Sequence, residues 1–358
     1  ILFLSGREFD YQRNVFLYEL LKSFGDVTIY NNNIEKFAKK SILIRTLLLT
    51  AAVLSRKVAN YDLVFIGFYG HFLVLLLRHF INQPILFDAF LSTYDTLCFD
   101  RMLFSPNSVF GRLSYFIDKT SCDWADSILL DTPQHIEYFK NTFGLNHKQI
   151  YSIPVGCDER VFFPRKDRDL TKGRNLQVLS YSTYLPLHGM DVIIQAAHKL
   201  QDYTSIRFNL IGYGREYNKI RKYAEIHNLV NVNFYPPVPI NKLPDYIAKS
   251  NVVLGGHFGV SDKAHRVIPG KIYQALAMGK AVIASDTPAN RGLLTHGVNA
   301  IMVRPNDPDS LAEAIVLLSN EKDLLERIAI NGRLLFQENC TVQANIPLME
   351  TVLRNLRN

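Results

Sequence analysis

A helix mouth in the last third of the chain carries residue types that bind phosphorylated ligands. In VIPGKIYQALAMGKAVIAS, residues 267–285, Pro269 and Gly270 open a predicted helix whose apolar stripe leaves Lys271 and Gln274 on the other face. A helix N-terminus presents unpaired N–H groups and a positive dipole end, to which Lys271 adds a full charge. Gln274 can exchange hydrogen bonds with vicinal hydroxyls, such as those of a ribose. A diphosphate followed by a ribose fits this layout, and so does an ordinary helix with a solvated polar face.

A second strand-to-helix turn offers similar chemistry. In SYSTYLPLHGMDVIIQAA, Thr183 follows a predicted strand, and His188 and Gly189 precede a helix. The hydroxyl, the turn amides and the imidazole are candidates for the same diphosphate, although a single histidine can equally be structural. In LIGYGREY, Gly212 and Tyr213 follow another strand, where a glycine allows close backbone approach to a ligand.

Cations lie just upstream of the helix mouth. The stretch SDKAHRV brings Lys263 and Arg266 close in sequence to Lys271. The whole chain of 358 residues has a formal net charge of +7, which favours anionic partners. No recognised nucleic-acid motif accompanies this charge, so we do not expect nucleic acid as a partner.

The four cysteines are widely separated and none forms a C-x-x-C pair, which is typical of a protein in a reducing cytoplasm. The opening ILFLSG is interpreted as a first strand rather than a signal peptide. No apolar run reaches the roughly 18 residues that a membrane span requires. We therefore expect a cytoplasmic chain that does not cross a membrane.

Predicted strands and helices alternate along the chain. The alternation begins with ILFLS, and it restarts at LQVLSYS after a charged, glycine-containing stretch at 165–175. We predict an α/β fold of two doubly wound, parallel-sheet (Rossmann-like) domains facing each other across a cleft. These are residues 1–164 and 165–339, with a helix at 340–358 packing back on the first domain. Ligands of such sheets bind at the carboxyl ends of the strands.

The stretch IPGKIYQALAMGKAVIASDTPANRGLLTHGVNAIMVRPNDPDSLAEAI resembles the donor-binding half of family 4 retaining glycosyltransferases of the GT-B fold. The turn SYSTYLPLHG is similar to the family's Gly-Arg-x-x-x-x-Lys-Gly segment, and VNFYPPVPINKLPDYIAKSNVVL to the strand that meets the nucleobase. The resemblance is specific over residues 176–320. It implies sugar transfer from a UDP- or GDP-linked nucleotide diphosphate sugar to a saccharide or lipid-linked acceptor, with retention at the anomeric carbon and without a cofactor.

The cations and the turn amides would then hold the diphosphate, Gln274 the ribose, and the turn near Val238 the base. The predicted donor-binding residues are Thr183, His188, Gly189, Gly212, Tyr213, Val238, Lys263, Gly270, Lys271 and Gln274.

The charged residues of the predicted donor site lie at other positions than in the family pattern. The family's paired glutamates, spaced E-x7-E, align with Arg266 and Gln274, and its Arg and Lys in the diphosphate turn align with Thr183 and His188. Gln274 can still bind ribose hydroxyls, whereas Arg266 cannot take an acidic role and would face phosphate. The alternative function is a nucleotide-binding GT-B protein that regulates or scaffolds an active partner.

The N-terminal half offers further candidates. Asp88 follows the fourth strand, where the family often has a histidine near the donor sugar, and His71 follows the preceding strand. We take Asp88, His71 and Arg266 as the catalytic candidates, and Gly6, Arg13 and Asp95 as further residues of the N-terminal cleft. An aspartate after a strand can equally be a turn or helix cap.

We expect transfer without a metal, because cations and helix dipoles can stabilise the departing phosphate. Two D-x-D strings resemble metal ligands. Asp167 and Asp169 lie in the charged linker, and Asp307 is expected to cap a helix that begins at Ser310.

Two stretches favour a lipid-linked acceptor and peripheral association with an anionic membrane. The window 36–57 has six cations and no acidic residue around an apolar core, and CFDRMLFSPNSVFGRLSYFIDK, residues 98–119, is rich in aromatic side chains. A domain helix with a wide core face explains the first stretch equally well. A nicotinamide-dependent oxidoreductase is not favoured, because GYGREY has Tyr217 in place of the third glycine of G-x-G-x-x-G.

Overall fold

The computed structural model describes residues 1–6, 9–30, 42–54, 58–165, 175–259 and 261–357. The chain divides into two compact units, here called unit 1 and unit 2. Unit 1 comprises Ile1–Gly156 and Val342–Asn358, and unit 2 comprises Cys157–Thr341. The division lies eight residues before the boundary expected at residue 164, and most of the charged stretch at 165–175 lies outside the described residues.

Unit 1 contains a six-stranded, all-parallel sheet in the order β2-β1-β3-β4-β5-β6. The strands are short and mostly buried on both faces, as parallel strands covered by helices must be. Their bounds are β1 Leu2–Ser5, β2 Thr28–Tyr30, β3 Val64–Gly67, β4 Ile85–Asp88, β5 Ser127–Leu130 and β6 Ile150–Ser152.

The helices of unit 1 cover both faces of this sheet. Alternate strand residues point to opposite faces, so Phe3 and Phe65 pack with α1 and the C-terminal helix, whereas Leu4 and Ile66 belong to the core on the other face. The helices are α1 Gln12–Lys22, α2 Ile42–Leu54, α3 His71–Leu77, α4 Val109–Trp124, α5 Pro133–Phe143 and, at the end of the chain, α14 Val342–Arg357.

Unit 2 contains a second six-stranded parallel sheet, in the order β12-β11-β10-β7-β8-β9. The order reverses beside β7, the first strand of the unit, and such a reversal is the usual place for a ligand site in this class of fold. The strands are β7 Leu176–Ser182, β8 Ile206–Gly212, β9 Val232–Tyr235, β10 Val252–Gly256, β11 Ala281–Ser285 and β12 Ile301–Val303.

The helices of unit 2 begin at well-formed caps where the sequence provides them. Asp307 caps α12 by accepting a hydrogen bond from the backbone N–H of Ser310, and the helix starts at Pro308, two residues earlier than expected. The helices are α6 Met190–Lys199, α7 Tyr217–Ile226, α8 Leu243–Lys249, α9 Asp262–Arg266, α10 Gly270–Ala277, α11 Pro288–Arg291, α12 Pro308–Asn320 and α13 Lys322–Asn339.

The predicted fold class is confirmed: the chain is α/β, with two parallel, doubly wound sheets flanked by helices. In the described part of the chain, no helix combines the length and the apolar content that crossing a bilayer would need. All four cysteines are buried free thiols.

Candidate functional site

The turns after β7, β8 and β10 contact one another at the carboxyl edge of the unit 2 sheet, and glycines allow their close approach. A Cβ on Gly212 would lie 1.9 Å from the carbonyl oxygen of Ser182, at the end of β7. Gly189 has a φ of +64°, and a Cβ there would lie 2.5 Å from the backbone N of Gly259, beyond β10. The turns after β7, β8 and β10 therefore form one close-packed edge, as the pattern of strand ends predicts.

Two histidines stand together at this edge. The Nε2 atom of His188 lies 3.3 Å from the hydroxyl of Thr183, and its ring centroid lies 5.4 Å from that of His257. The Nδ1 atoms of both rings have no hydrogen-bond partner among the described residues. Burial, and then the cations Lys271 and Lys263, lower the pKa of His188 to about 3. This imidazole is therefore neutral at physiological pH, with one ring nitrogen that donates a hydrogen bond and one that accepts.

The pKa of His257 is also lowered, by burial first and then by His188, Lys271 and Lys263. The charges of Lys271 and Lys263 thus act on both imidazoles, so these residues share one electrostatic environment. Lys271 and Lys263 create a positive potential around two neutral imidazoles, and such a potential suits an anionic ligand.

Helix α10 supplies the charged residue of the predicted helix mouth. Burial lowers the pKa of Lys271 from 10.5 to about 8, so the ammonium is charged at neutral pH and titrates just above it. Its Nζ lies 5.8 Å from the ring centroid of Tyr181, in β7. The Tyr181 hydroxyl donates a 2.6 Å hydrogen bond to Oε1 of the buried Gln274. Tyr181 therefore binds Gln274 directly and lies beside the Lys271 ammonium.

The remaining predicted donor residues are placed around this group. Gly270 is the first residue of α10, and Lys263 and Arg266 lie half-buried on the short helix α9 that precedes it. Tyr213 is exposed, with its ring 4.9 Å from that of Tyr217, and Val238 lies three residues beyond β9. Specific contacts or electrostatic influence thus link four of the predicted residues: Thr183, His188, Lys271 and Gln274. Only strand topology places Tyr213 and Val238 at the same edge.

In unit 1, Arg13 and Asp88 bind each other. The Arg13 guanidinium makes a bidentate ion pair with the carboxylate, from Nη2 to Oδ1 at 2.8 Å and from Nε to Oδ2 at 3.0 Å, and both side chains are fully buried. It also donates to the carbonyl oxygens of Leu130 and Ile153, at 3.1 and 2.8 Å. Burial raises the pKa of Asp88 and the Arg13 charge opposes that shift. Arg13 thereby joins the carboxyl ends of β4, β5 and β6.

His71 and Asp95 belong to a second buried network in unit 1. His71 opens α3, with its Nε2 3.4 Å from a carboxylate oxygen of Asp118 and without hydrogen-bond geometry. Burial lowers the pKa of His71, although Asp118 opposes the shift. Asp118 accepts a 2.6 Å hydrogen bond from Ser92, whose hydroxyl in turn accepts one from the backbone N–H of Asp95. Gly6 is confined by the backbone, since a Cβ there would lie 2.1 Å from the Tyr69 carbonyl oxygen.

Sequence reasoning missed several residues at these edges. In unit 2 they are Tyr181 and His257. In unit 1 they include Asp131 and His135. Both are buried, and the Nδ1 atom of His135 lies 2.6 Å from Oδ1 of Asp131. His257 and Asp131 each come directly after a buried strand. A search for polar residues immediately after every predicted strand would have found both, whereas no pattern marks Tyr181, which lies within β7.

Among the described residues, no three His, Cys, Asp or Glu side chains lie close enough together to hold a metal ion. Asp307 is a helix cap, as noted above, and Asp167 and Asp169 lie outside the described residues.

Comparison with known proteins adds independent findings. Residues 163–335 match the family model described as glycosyl transferases group 1. An uncharacterized glycosyltransferase of Methanocaldococcus jannaschii is 22% identical over 239 residues, which are 64% of this chain and 59% of that protein. The chain therefore matches only about three fifths of that relative's own length.

Solved structures match over the whole chain. Sucrose-phosphate synthase from Thermosynechococcus elongatus has a TM-score of 0.76 at 17% identity, covering 99% of this chain and 98% of its own. Anabaena HepE, solved in complex with UDP and glucose, has a TM-score of 0.71 at 15% identity and covers 99% of both chains. At these identities the likeness concerns the fold alone. The chain has the GT-B class of fold, and the segment that carries the Lys271 edge, residues 163–335, matches glycosyl transferases group 1.

Proposed function

We propose that this protein is a glycosyltransferase that moves a sugar from a nucleotide diphosphate sugar to a saccharide or lipid-linked acceptor. One observation carries the proposal: at the carboxyl edge of the unit 2 sheet, Tyr181 binds Gln274 and lies beside Lys271, whose charge acts on His188. The Lys271 ammonium, the N-terminus of α10 and the neutral His188 imidazole can all bind a diphosphate. The buried amide of Gln274 can bind the hydroxyls of the adjoining ribose. The match of this segment to glycosyl transferases group 1 supports the same assignment.

In this proposal the site acts on the leaving group. As the bond between the sugar and the diphosphate breaks, negative charge grows on the phosphate oxygens. Lys271, Lys263 and Arg266 would stabilise that charge, and the α10 N-terminus would add its dipole. With three cations assigned to this task, we propose a transfer that needs no metal and, as the family resemblance implies, retains the anomeric configuration.

UDP is the first donor nucleotide to test, with GDP next. HepE was solved with UDP and with UDP-glucose, which supports a uridine nucleotide here. We assign the ribose to Gln274, the base to the turn near Val238, and the acceptor to unit 1. Asp88 and His71 remain our catalytic candidates there, together with Arg266 in unit 2. Asp88 would act from its pair with Arg13, and His71 from its contact with Asp118.

The test combines nucleotide binding with turnover. We expect UDP or GDP at 100 times its Kd to raise the free energy of unfolding of unit 2 by about 2.7 kcal/mol, seen as a higher Tm. Sugar release or transfer from the matching nucleotide sugar should persist in EDTA. Lys271→Ala should abolish the shift, whereas Lys219→Ala, on α7, should leave it. Loss of turnover in EDTA that Mg²⁺ restores would contradict the metal-independent mechanism.

A second candidate function is a nucleotide-binding partner of another enzyme. It is favoured by Arg266 and Gln274, which occupy the positions of the two family glutamates. Binding of UDP or GDP without turnover of any corresponding sugar donor would support this candidate. Measurable transfer would exclude it.

A further inference from the structure

The first turns of helix α4 in unit 1 expose apolar side chains, although the helix buries Ile117 and Cys122 further along. Its buried face includes Ser114, Asp118 and Ser121, with Asp118 held by hydrogen bonds from the segment before the helix. Its outward face carries Val109, Phe110, Leu113 and Phe116. A helix on the surface of a globular unit normally buries its apolar stripe and exposes its polar one. The first turns of α4 depart from this pattern and leave large apolar side chains in water, and such a face usually serves an interaction.

The loop before α4 extends the same apolar face. Met102 and Leu103 are exposed there, and the ring of Phe104 lies 4.9 Å from that of Phe110, which ties the loop to the helix. Gly111 holds the two together, since a Cβ there would lie 2.3 Å from the Ser105 carbonyl oxygen. We call this the α4 surface and define it by Met102, Leu103, Val109, Phe110, Leu113 and Phe116.

The exposure is large for side chains of this type. Met102 is 82% exposed and Val109 79%, while Phe110 and Phe116 are 59% and 58% exposed. Burial of such side chains is favourable in proportion to the apolar area that it removes from water. A surface that withheld all of these residues from water would therefore bind its partner strongly.

The charges of the α4 surface distinguish between partners. Arg101 and Arg112 are exposed beside its apolar residues, and neither has an ion-pair partner among the described residues. In a symmetric contact between two copies, each arginine would face the same cationic surface, because the half-buried Asp100 is the one acidic side chain between residues 99 and 116. Anionic lipid headgroups complement both arginines, while acyl chains accept the apolar residues.

Topology places the α4 surface at the carboxyl edge of the unit 1 sheet. Helix α4 ends at Trp124 and β5 begins at Ser127, so α4 runs back toward the amino ends of the strands and starts at their carboxyl edge. That edge also holds Asp88 and the His71–Asp118 network. Helix α2, which adds exposed Leu47 and Ile44, contributes to the same helical layer, since α2 packs on α3 and α3 on α4.

We propose that the α4 surface docks unit 1 onto an anionic lipid bilayer, with its apolar side chains inserted and Arg101 and Arg112 on the headgroups. Docking in this way would hold the carboxyl edge of unit 1 beside the membrane, where a lipid-linked acceptor presents its head group.

The experiment is co-sedimentation of the whole chain with vesicles of phosphatidylcholine alone or of phosphatidylcholine with phosphatidylglycerol. We expect binding to the anionic vesicles that weakens with salt. Phe110→Ser with Phe116→Ser should lower the partition coefficient about tenfold or more. Arg101→Gln with Arg112→Gln should lower it about fivefold for each arginine and reduce its dependence on salt.

The matched control is Ile226→Ser with Val230→Ser, two side chains of unit 2 that are 63% and 80% exposed. This control should bind vesicles like the unaltered chain. Far-UV circular dichroism checks that each variant folds, and Leu113→Gln replaces the phenylalanine pair if that variant does not.

Three results would overturn the proposal. They are no binding to either vesicle, binding that the phenylalanine substitutions leave unchanged, and a dimer in solution that those substitutions dissociate. Vesicle binding does not depend on the donor site. UDP binding without vesicle binding would therefore refute the docking surface alone, and the converse would refute the proposed donor site alone.

Discussion

At the scale of single residues, the pKa of Lys271 makes nucleotide binding depend on pH. The free ammonium titrates at about 8, and a bound diphosphate favours its charged form. UDP affinity should therefore fall as pH rises above 8, by up to about tenfold for each pH unit. Titration calorimetry between about pH 7.5 and 9.5 measures this effect while the UDP phosphates stay ionised.

Two arginine variants sharpen this prediction. Lys271→Arg keeps its charge throughout the range and should flatten the pH dependence. Lys280 also has a pKa lowered by burial to about 8, but it lies before β11 at the opposite edge, where it donates to the Ala248 carbonyl oxygen. Lys280→Arg should keep the original dependence. An unchanged slope in Lys271→Arg would contradict the assignment of Lys271 to the diphosphate.

The Arg13–Asp88 pair makes a prediction about stability. Asp88→Asn leaves the Arg13 guanidinium buried without its counter-charge, which should cost about 3–5 kcal/mol of unfolding free energy. The chain has one tryptophan, Trp124, and it lies at the end of α4, so its fluorescence during urea unfolding reports on unit 1. Arg78→Gln is the control, because the Arg78–Asp126 pair is one third exposed and worth about 1 kcal/mol or less. Equal losses in the two variants would show that Asp88 is not held as described.

At the scale of elements, the turn between β7 and α6 depends on Gly189. Its φ of +64° and the nearby backbone of Phe258 and Gly259 leave no room for a Cβ. Gly189→Ala should lower stability by about 1–3 kcal/mol and weaken UDP binding, because His188 and Thr183 belong to the same turn. Thermal unfolding and calorimetry measure the two effects.

Gly144 at the end of α5 is the matched control for that turn. Its φ of +70° is nearly the same, but nothing lies within 4 Å of a Cβ placed there. Gly144→Ala should cost about 1–2 kcal/mol from backbone strain and leave UDP affinity unchanged. If Gly189→Ala also bound UDP normally, the turn would not form part of the donor site.

At the scale of the whole molecule, the end of the chain completes unit 1. The chain leaves unit 1 after Gly156 and returns at Val342, and α14 packs on α1 with Met349 and Val352 fully buried. Met349→Ala should destabilise unit 1 by about 2–5 kcal/mol, seen as an earlier Trp124 transition in urea. Thr351→Ala, exposed on the same helix, should leave that transition in place. No shift with Met349→Ala would contradict this packing.

Much of the fold could be predicted from local pattern. Short apolar runs alternating with amphipathic helices indicate parallel sheets, because strands buried on both faces must be apolar throughout. The expected meeting of the Thr183–His188 turn with the α10 mouth follows from the same rule, since the carboxyl ends of parallel strands share one edge. Sequence spacing could not settle helix starts to the residue, as α12 shows by beginning at Pro308.

The sequence by itself determined the alternation of elements, the α/β class, and the residue types available at each strand end. Only the tertiary structure decided which of those side chains meet. Arg13 and Asp88 stand 75 residues apart and read as separate candidates, yet they form one ion pair. Tyr181 and Gln274 stand 93 residues apart and share a hydrogen bond. Periodicity specifies the face on which a side chain lies, whereas its partner across that face depends on strand order and rotamer, which long-range packing sets.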